Sequence, residues 1–303
     1  MAGRLRVFNM KQFFTFLSLC LVVLGLLAGC AKAGKSAGRA VWVTIQPQKF
    51  FVDRVAGGAV SVEVLVRPGQ SPETYAPSAS QMARLAQADL YFGIGLPVEA
   101  ALLGRMAQAM PGVRMVALRE AVEHDHEHHD HEHHAGHAQE ENDPHVWLDP
   151  VQMIEFVEQI TTHLTGLIPA RADVFQANAA ELIAELRRLD EDLHGQFAPY
   201  ANRSFYINHP SLGHFAARYG LHQLSIEHAG SAPSARRIAE LVSEAKAEKV
   251  GAILTQPEFG QSSAGVLADA LGVAVVEINI LAEDYFTNMH QIADSLERSF
   301  THE

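Results

Sequence analysis

Residues 171–198 read RADVFQANAAELIAELRRLDEDLHGQFA. Apolar Leu182, Leu186, Leu189, Leu193 and Phe197 recur at spacings of four, three, four and four with Asp, Glu and Arg between them, which predicts one long amphipathic helix. What lies on either side of that helix decides the fold. On its N-terminal side, short β-rich runs at Val41–Ile45, Val60–Val66, Leu90–Ile94 and Val113–Leu118 alternate with helical patterns at Gln48–Ala56, Ser78–Ala88 and Val98–Met110. A further helix is expected from about Pro150 to Leu167, and Pro169 opens the long one. On its C-terminal side, strands are expected at Ser204–Asn208, Leu221–Ile226, Gly251–Thr255 and Val273–Ile278, with helices after Pro210, Pro233, Gln261 and Asp284. Alternation of this kind builds parallel sheets from βαβ units. The expected fold class is therefore α/β, two similar lobes with parallel sheets joined by one long linking helix. Ligands of open parallel sheets bind beyond the carboxyl ends of the strands, so function is expected in the cleft between the lobes. A helical link in place of flexible strands predicts only small closure.

The composition fits two globular lobes. Of 303 residues, 48% are hydrophobic and 19% charged, too apolar and too weakly charged for a disordered chain. Net charge is −12, which argues against a phosphate-binding surface and excludes nucleic acid as a default partner. Two cysteines are too few for a disulfide framework or a thiolate zinc module, whereas 17 histidines far exceed ordinary usage. Metal chemistry here belongs to imidazole.

The first 29 residues have the order of a secretory signal. Arg4, Arg6 and Lys11 precede an apolar run from Phe13 to Ala28 that ends in Leu27-Ala28-Gly29-Cys30. The run is short for a membrane span of about 20 apolar residues and it stops at a cysteine. This tetrapeptide resembles a bacterial lipobox, which implies cleavage before Cys30, acylation of that residue and attachment to a membrane. Met10-Lys11 would begin a leader of ordinary length, so either Met1 or Met10 can serve as the start. Cleavage would remove three cations and no acidic residue, taking the charge from −12 to −15. Residues 30–40 then read as a flexible tether.

Residues 123–137 carry eight histidines among five carboxylates: His124, His126, His128, His129, His131, His133, His134 and His137. Nothing in this tract can form a core. Neutral imidazole suits zinc, copper, nickel and iron(II), and the carboxylates concentrate cations nearby, so weak, multiple and exchanging metal binding is expected. The tract lacks a His-Glu-x-x-His pair, which argues against a metalloprotease.

Four further loops place a ligand-type residue beside a regular element: Glu73 in Arg67-Pro-Gly-Gln-Ser-Pro-Glu73-Thr-Tyr-Ala-Pro77, His145 in Asn142-Asp-Pro-His145-Val-Trp-Leu-Asp149-Pro150, His209 in Phe205-Tyr-Ile-Asn-His209, and Asn279 after the strand that ends at Ile278. Taken singly, each is explained as well by a cap, a turn or a satisfied buried polar group. Their common placement is what points to a site.

With these motifs the chain resembles the cluster A-I solute-binding lipoproteins of bacterial ABC importers for zinc and manganese. The resemblance rests on Pro68-x-x-x-Pro72-Glu73-x-Tyr75-x-Pro77 around Gly69, Asp143-Pro144-His145-x-Trp147-Leu148, His209 followed by Tyr219-Gly220-Leu221, Ile226-Glu227 leading to Pro233-Ser234-Ala235, Thr255-Gln256-Pro257-Glu258-Phe259, and Asn279-Ile280-Leu281. It covers nearly the whole chain after Cys30, and the acidic histidine tract lies where zinc-binding members carry theirs. It implies a signal peptide over 1–29, an N-terminal lobe over 30–168 with the His-rich loop at 121–142, a linking helix over 169–198 and a C-terminal lobe over 199–303. It also implies a monomer that hands its ion to a membrane permease, and a metal site of Glu73, His145, His209 and Asn279.

Two of these ligands depart from the family pattern, since Glu73 stands where it has His and Asn279 where it has Asp. One carboxylate is gained and one lost, so a divalent ion would keep a single net positive charge. His209, where manganese members have Glu, argues for Zn2+ over Mn2+ because imidazole is the softer ligand. His214 and His228 lie near these segments; either can be read as a replacement ligand, but a surface or helix-packing role fits both better. The competing functions are a metal-dependent hydrolase using the same ligands with an open position, and a surface metal buffer or adhesion lipoprotein. Against an enzyme, no separate general base or Gly-x-Ser-x-Gly elbow stands out.

Overall fold

The computed structural model describes residues 38–96, 98–99, 110–117, 143–227, 233–248, 250–259 and 262–300. The leader, Cys30 and the tether up to residue 37, the tract with its eight histidines, His228, Leu118 and most of the helix expected over Val98–Met110 lie outside them. Among the described residues no helix is long and apolar enough to cross a membrane.

The N-terminal lobe runs β1 (Arg39–Val43), α1 (Gln46–Ala56), β2 (Val60–Val64), α2 (Ala79–Leu85), β3 (Leu90–Gly93) and β4 (Arg114–Ala117). Its four strands are parallel in the order β2-β1-β3-β4. Two helices follow, α3 (Gln152–Leu167) and, after a turn of 3-10 helix at Pro169–Arg171, α4 (Ala172–Phe197). The C-terminal lobe runs β5 (Ser204–Ile207), α5 (Gly213–Arg218), β6 (His222–Ser225), α6 (Ala235–Ala247), β7 (Ala252–Thr255), α7 (Ser262–Leu271), β8 (Ala274–Glu277) and α8 (Tyr285–Phe300). Its strands are again all parallel, in the order β6-β5-β7-β8. The expected pair of parallel-sheet lobes joined by a long helix is present. Regular strands end a residue or two sooner than expected, yet pairing continues past them: Leu65 and Val66 N–H still donate to the Val43 and Thr44 carbonyls at 2.9 Å.

Local chemistry explains why α1 forms where it does. Gln48 Oε1 accepts from the Thr44 and Ile45 N–H groups at 2.9 and 3.1 Å, and Pro47 lies in the first turn, where a missing N–H costs nothing. The helix stops at Gly57, which takes a left-handed φ of 55° and donates to the Asp53 carbonyl. Arg54 then grips Glu185 of α4 through two bonds of 2.9 Å, fixing α1 against the linking helix.

On α4 the periodic residues Leu182, Leu186, Leu189, Leu193 and Phe197 are all buried, joined by Phe175 and Ala179. Each large apolar side chain contributes about 1.5–3 kcal/mol on burial, which is what holds a helix of this length in place. One apolar core runs from Val41 through this helix to Phe300 and so belongs to both lobes. A smaller cluster around Tyr206, Leu241, Ile253 and Leu267 fills the other side of the C-terminal sheet. The lobes also meet through rings, with Phe51 edge-on to Tyr285 at 4.7 Å and Phe50 edge-on to Phe286 at 5.7 Å. Arg218 of α5 clamps Asp190 of α4 at 2.5 and 2.6 Å. Burial works against the Asp190 carboxylate, but the guanidinium outweighs it and holds the carboxyl below the ordinary aspartate range.

Candidate metal centre

Glu73 is carried by the loop that leaves β2. Gln81 of α2, itself buried, ties this loop down by donating from Nε2 to the Leu65 carbonyl at 3.0 Å and to the Tyr75 hydroxyl at 2.8 Å. Ser78 caps the same helix, accepting from Gln81 N–H. The loop therefore enters and leaves through fixed points, with Glu73 between them.

His145 begins a single 3-10 turn, Val146–Leu148, whose residues are all buried. Trp147, wholly inside the core, donates from Nε1 to the Ile280 carbonyl at 2.7 Å and so joins this loop to the one after β8. Asp143 Oδ1 accepts the His145 N–H at 2.9 Å and lies 2.6 Å from His145 Nδ1. An acceptor there places the ring proton on Nδ1 and leaves the Nε2 lone pair for a ligand. That Nε2 is buried and has no hydrogen-bond partner among the described residues.

His209 follows β5, past Asn208, whose N–H continues the sheet to the Leu254 carbonyl at 2.8 Å. Gln256, at the end of β7, accepts from His209 N–H at 3.4 Å and donates to the His209 carbonyl at 2.8 Å and to Ser211 Oγ at 2.7 Å. The backbone is thus held by hydrogen bonds, while the imidazole stacks on Phe259.

These elements bring Glu73, His145 and His209 together, each with a ligand atom within 4.8 Å of the other two. Both histidines are nearly inaccessible, at 2% and 5% exposure, and Glu73 is partly open. Glu73 Oε1 lies 3.0 Å from His209 Nε2, but the ring nitrogen is not aligned for a hydrogen bond. Contact with His209 nevertheless holds the Glu73 carboxyl below the ordinary glutamate range against the opposing effect of burial, so it is ionised at neutral pH. Burial likewise opposes ionisation of Asp143, and the hydrogen bond with His145 helps hold its carboxyl below the ordinary aspartate range. Two imidazoles and one carboxylate converging in a buried place, with lone pairs left unused, suit zinc better than magnesium or calcium.

Two further residues singled out in the sequence, Asn279 and His214, are engaged in contacts of their own. Asn279 is exposed, and its Oδ1 accepts the Leu281 N–H at 2.8 Å in a local turn. His214 has both ring nitrogens engaged, Nε2 with the Asp143 carbonyl and Nδ1 with Gln152 Nε2, each at 3.0 Å, and so packs rather than replaces a ligand. Asp143, Gln256 and Phe259 lay within quoted motifs, and Gln81 within the helix expected over Ser78–Ala88, without an assigned role. For Asp143 alone a local signal existed, since an Asp two residues ahead of a His commonly accepts that residue's N–H.

Residues 41–299 match the family model described as the zinc-uptake complex component A, periplasmic. The zinc-binding lipoprotein AdcA of Streptococcus pneumoniae is 30% identical over 277 residues, 87% of this chain and 54% of that protein. The high-affinity zinc uptake system protein ZnuA of Yersinia pestis is 26% identical over 258 residues, 78% of this chain and 81% of that protein. The chain thus spans about half the length of the AdcA relatives it matches. Among solved structures, one of ZnuA superposes with a TM-score of 0.78 at 29% identity, covering 86% of this chain and 99% of that one. The zinc-bound ZnuA-like domain of S. pneumoniae AdcA superposes with a TM-score of 0.70 at 27% identity, covering 86% and 98%. With the family model covering both lobes and the helix between them, the chain belongs to the family of the periplasmic zinc-uptake complex component A.

Proposed function

We propose that this protein is the extracytoplasmic solute-binding component of a metal ABC importer, capturing zinc between its lobes and delivering it to a membrane permease. The observation that carries the reading is the convergence of Glu73, His145 and His209 within 4.8 Å, from one loop of the N-terminal lobe, the segment ahead of α3 and one loop of the C-terminal lobe. The family and the zinc-binding names of its relatives point the same way. Asn279 or water takes the fourth position. The preference for zinc over manganese follows from two imidazoles against one carboxylate.

Around this centre we assign residues 1–29 to a lipoprotein signal, Cys30 to acylation, 30–40 to a tether and 121–142 to a capture loop that holds ions weakly. The lobes then run over 30–168 and 199–303, with 169–198 as the link, and the mature protein acts as a monomer anchored outside the cytoplasm. A zinc hydrolase would use the same three ligands with an open position. The family is one of transport components, and the neighbouring carboxylate, Asp143, is taken up by His145 instead of being left as a general base.

Calorimetric zinc titration tests this. Protein lacking 1–29 and 121–142 should keep one tight ion with its dissociation constant within about tenfold, 1.4 kcal/mol, of that with the loop. His145→Ala or His209→Ala should each abolish it, since losing one of three protein ligands opens the shell. Unchanged tight binding in both variants would end the proposal.

A further inference from the structure

Asp143 is held from three sides. Its Oδ1 receives the His145 N–H and faces His145 Nδ1 at 2.6 Å. Its carbonyl lies 3.0 Å from His214 Nε2 in α5. Because a carbonyl only accepts, that nitrogen carries the His214 proton; Nδ1 is then a lone pair, which Gln152 Nε2 of α3 fills at 3.0 Å. The third constraint is steric. A Cβ built on Gly213, the residue that opens α5, would fall inside contact distance of Asp143 Oδ2, so any side chain there must push the carboxylate away.

A carboxylate behind a ligating histidine fixes the ring's tautomer and rotation and raises its basicity. Here its mooring crosses to the other lobe: Gly213 and His214 belong to the C-terminal lobe, whereas Asp143 and His145 lead into α3 ahead of the linking helix. We propose that Asp143 is the positioning residue for His145 and that Gly213 and His214 of α5 hold it there, so that the C-terminal lobe orients both His209 and a ligand it does not itself contribute. This rests on the metal-centre reading above. It gives Gly213 a role that backbone conformation does not require, since its φ is not left-handed.

The test is zinc titration of the mature chain carrying Asp143→Ala, Asp143→Asn, Gly213→Ala or His145→Ala, with cobalt(II) as a spectroscopic probe and thermal unfolding of the metal-free protein as control. Asp143→Ala should weaken zinc by about 10–100-fold. Asp143→Asn keeps an acceptor in the same place and should recover part of that loss. Gly213→Ala should weaken zinc although it touches no ligand, and adding it to Asp143→Ala should cost nothing further, because both act through one group. The cobalt(II) d–d bands should shift in Asp143→Asn and Gly213→Ala alike, a change that loss of stability alone would not produce. Wild-type zinc affinity in Asp143→Ala and Gly213→Ala, with His145→Ala inactive, overturns the positioning role and leaves the metal centre standing. Additive losses in the double variant overturn the link through Gly213. Full binding by His145→Ala overturns the metal centre and this inference together.

Discussion

The imidazole of His209 lies flat on the ring of Phe259, with centroids 3.8 Å apart and planes 6° apart. Neither of its nitrogens has a hydrogen-bond partner among the described residues. His145 and His209 are therefore held by opposite means, the first by a carboxylate at Nδ1 and the second by an aromatic face. Stacking fixes the plane of a ring without occupying either nitrogen, which leaves His209 Nε2, 3.0 Å from Glu73 Oε1, open to an ion.

Phe259→Leu should consequently weaken zinc binding by about two- to tenfold, the equivalent of the roughly 0.5–1.5 kcal/mol that an aromatic pair adds beyond its buried area. Leucine keeps an apolar side chain at the site but cannot define a plane. Phe259→Tyr should retain wild-type affinity. Competition titration against a zinc-sensitive dye measures both, and equal affinity in Phe259→Leu and wild type would mean that the His209 ring is oriented by something other than the stack.

The N-terminal lobe also holds a buried carboxylate outside the Glu73, His145 and His209 cluster. Glu99 accepts the Ile94 N–H at 2.9 Å and the Gly95 N–H at 2.7 Å, and contacts Thr44 Oγ1, which in turn meets the Tyr91 hydroxyl at 2.7 Å. Burial raises its pKa above 4.5, and the hydrogen bonds offset this only in part. The folded protein thus keeps a proton that the unfolded chain has already released. Its contribution to stability is complete below pH about 4.5 and is lost as pH rises through the folded value. Glu99→Gln removes this titration. Urea unfolding from pH 4 upward should show wild type losing stability relative to Glu99→Gln as pH rises; a constant difference between them would place the Glu99 pKa at its ordinary value.

Legibility in the sequence followed the range of the interactions involved. Leu182, Leu186, Leu189, Leu193 and Phe197 announced their helix because burial on one face leaves a period of 3.6, and all five are buried. His209 could be placed at a strand end because the apolar run Phe205-Tyr206-Ile207 stops just before it and Pro210 follows. Phe259 beneath His209 could not, since the two are 50 residues apart and meet only when β5 and β7 pair. Gly213 against Asp143 is invisible for the same reason. Glu99 lies within the helix expected over Val98–Met110, and nothing local signals that Thr44 and the backbone after β3 close over it. His214 looked like a packing residue and is one, but its partners across α3 and Asp143 are tertiary.

The family pattern and the structure pull Asn279 in different directions. Its Oδ1 already accepts the Leu281 N–H at 2.8 Å, and its carbonyl takes Asn288 Nδ2 at 2.6 Å, so the loop after β8 is shaped by this residue whether or not it meets an ion. The amide oxygen keeps a second, neutral lone pair, while its other atom, Nδ2, is a donor that cannot ligate a cation. Asn279→Asp changes only that atom. One carboxylate oxygen can keep the turn while the other becomes an anionic ligand, giving the centre a second carboxylate beside Glu73 and neutralising a divalent ion. Zinc should bind at least tenfold more tightly, about 1.4 kcal/mol. In a Glu73→Ala background the new carboxylate restores a single charge, so the gain should be at least as large; in His209→Ala it should mostly vanish because no closed shell remains. If Asn279 serves the turn alone, the substitution would leave affinity unchanged and alter stability by about 1 kcal/mol or less. An unchanged zinc dissociation constant in folded Asn279→Asp, with His209→Ala inactive, would remove this residue from the centre and leave three protein ligands completed by water.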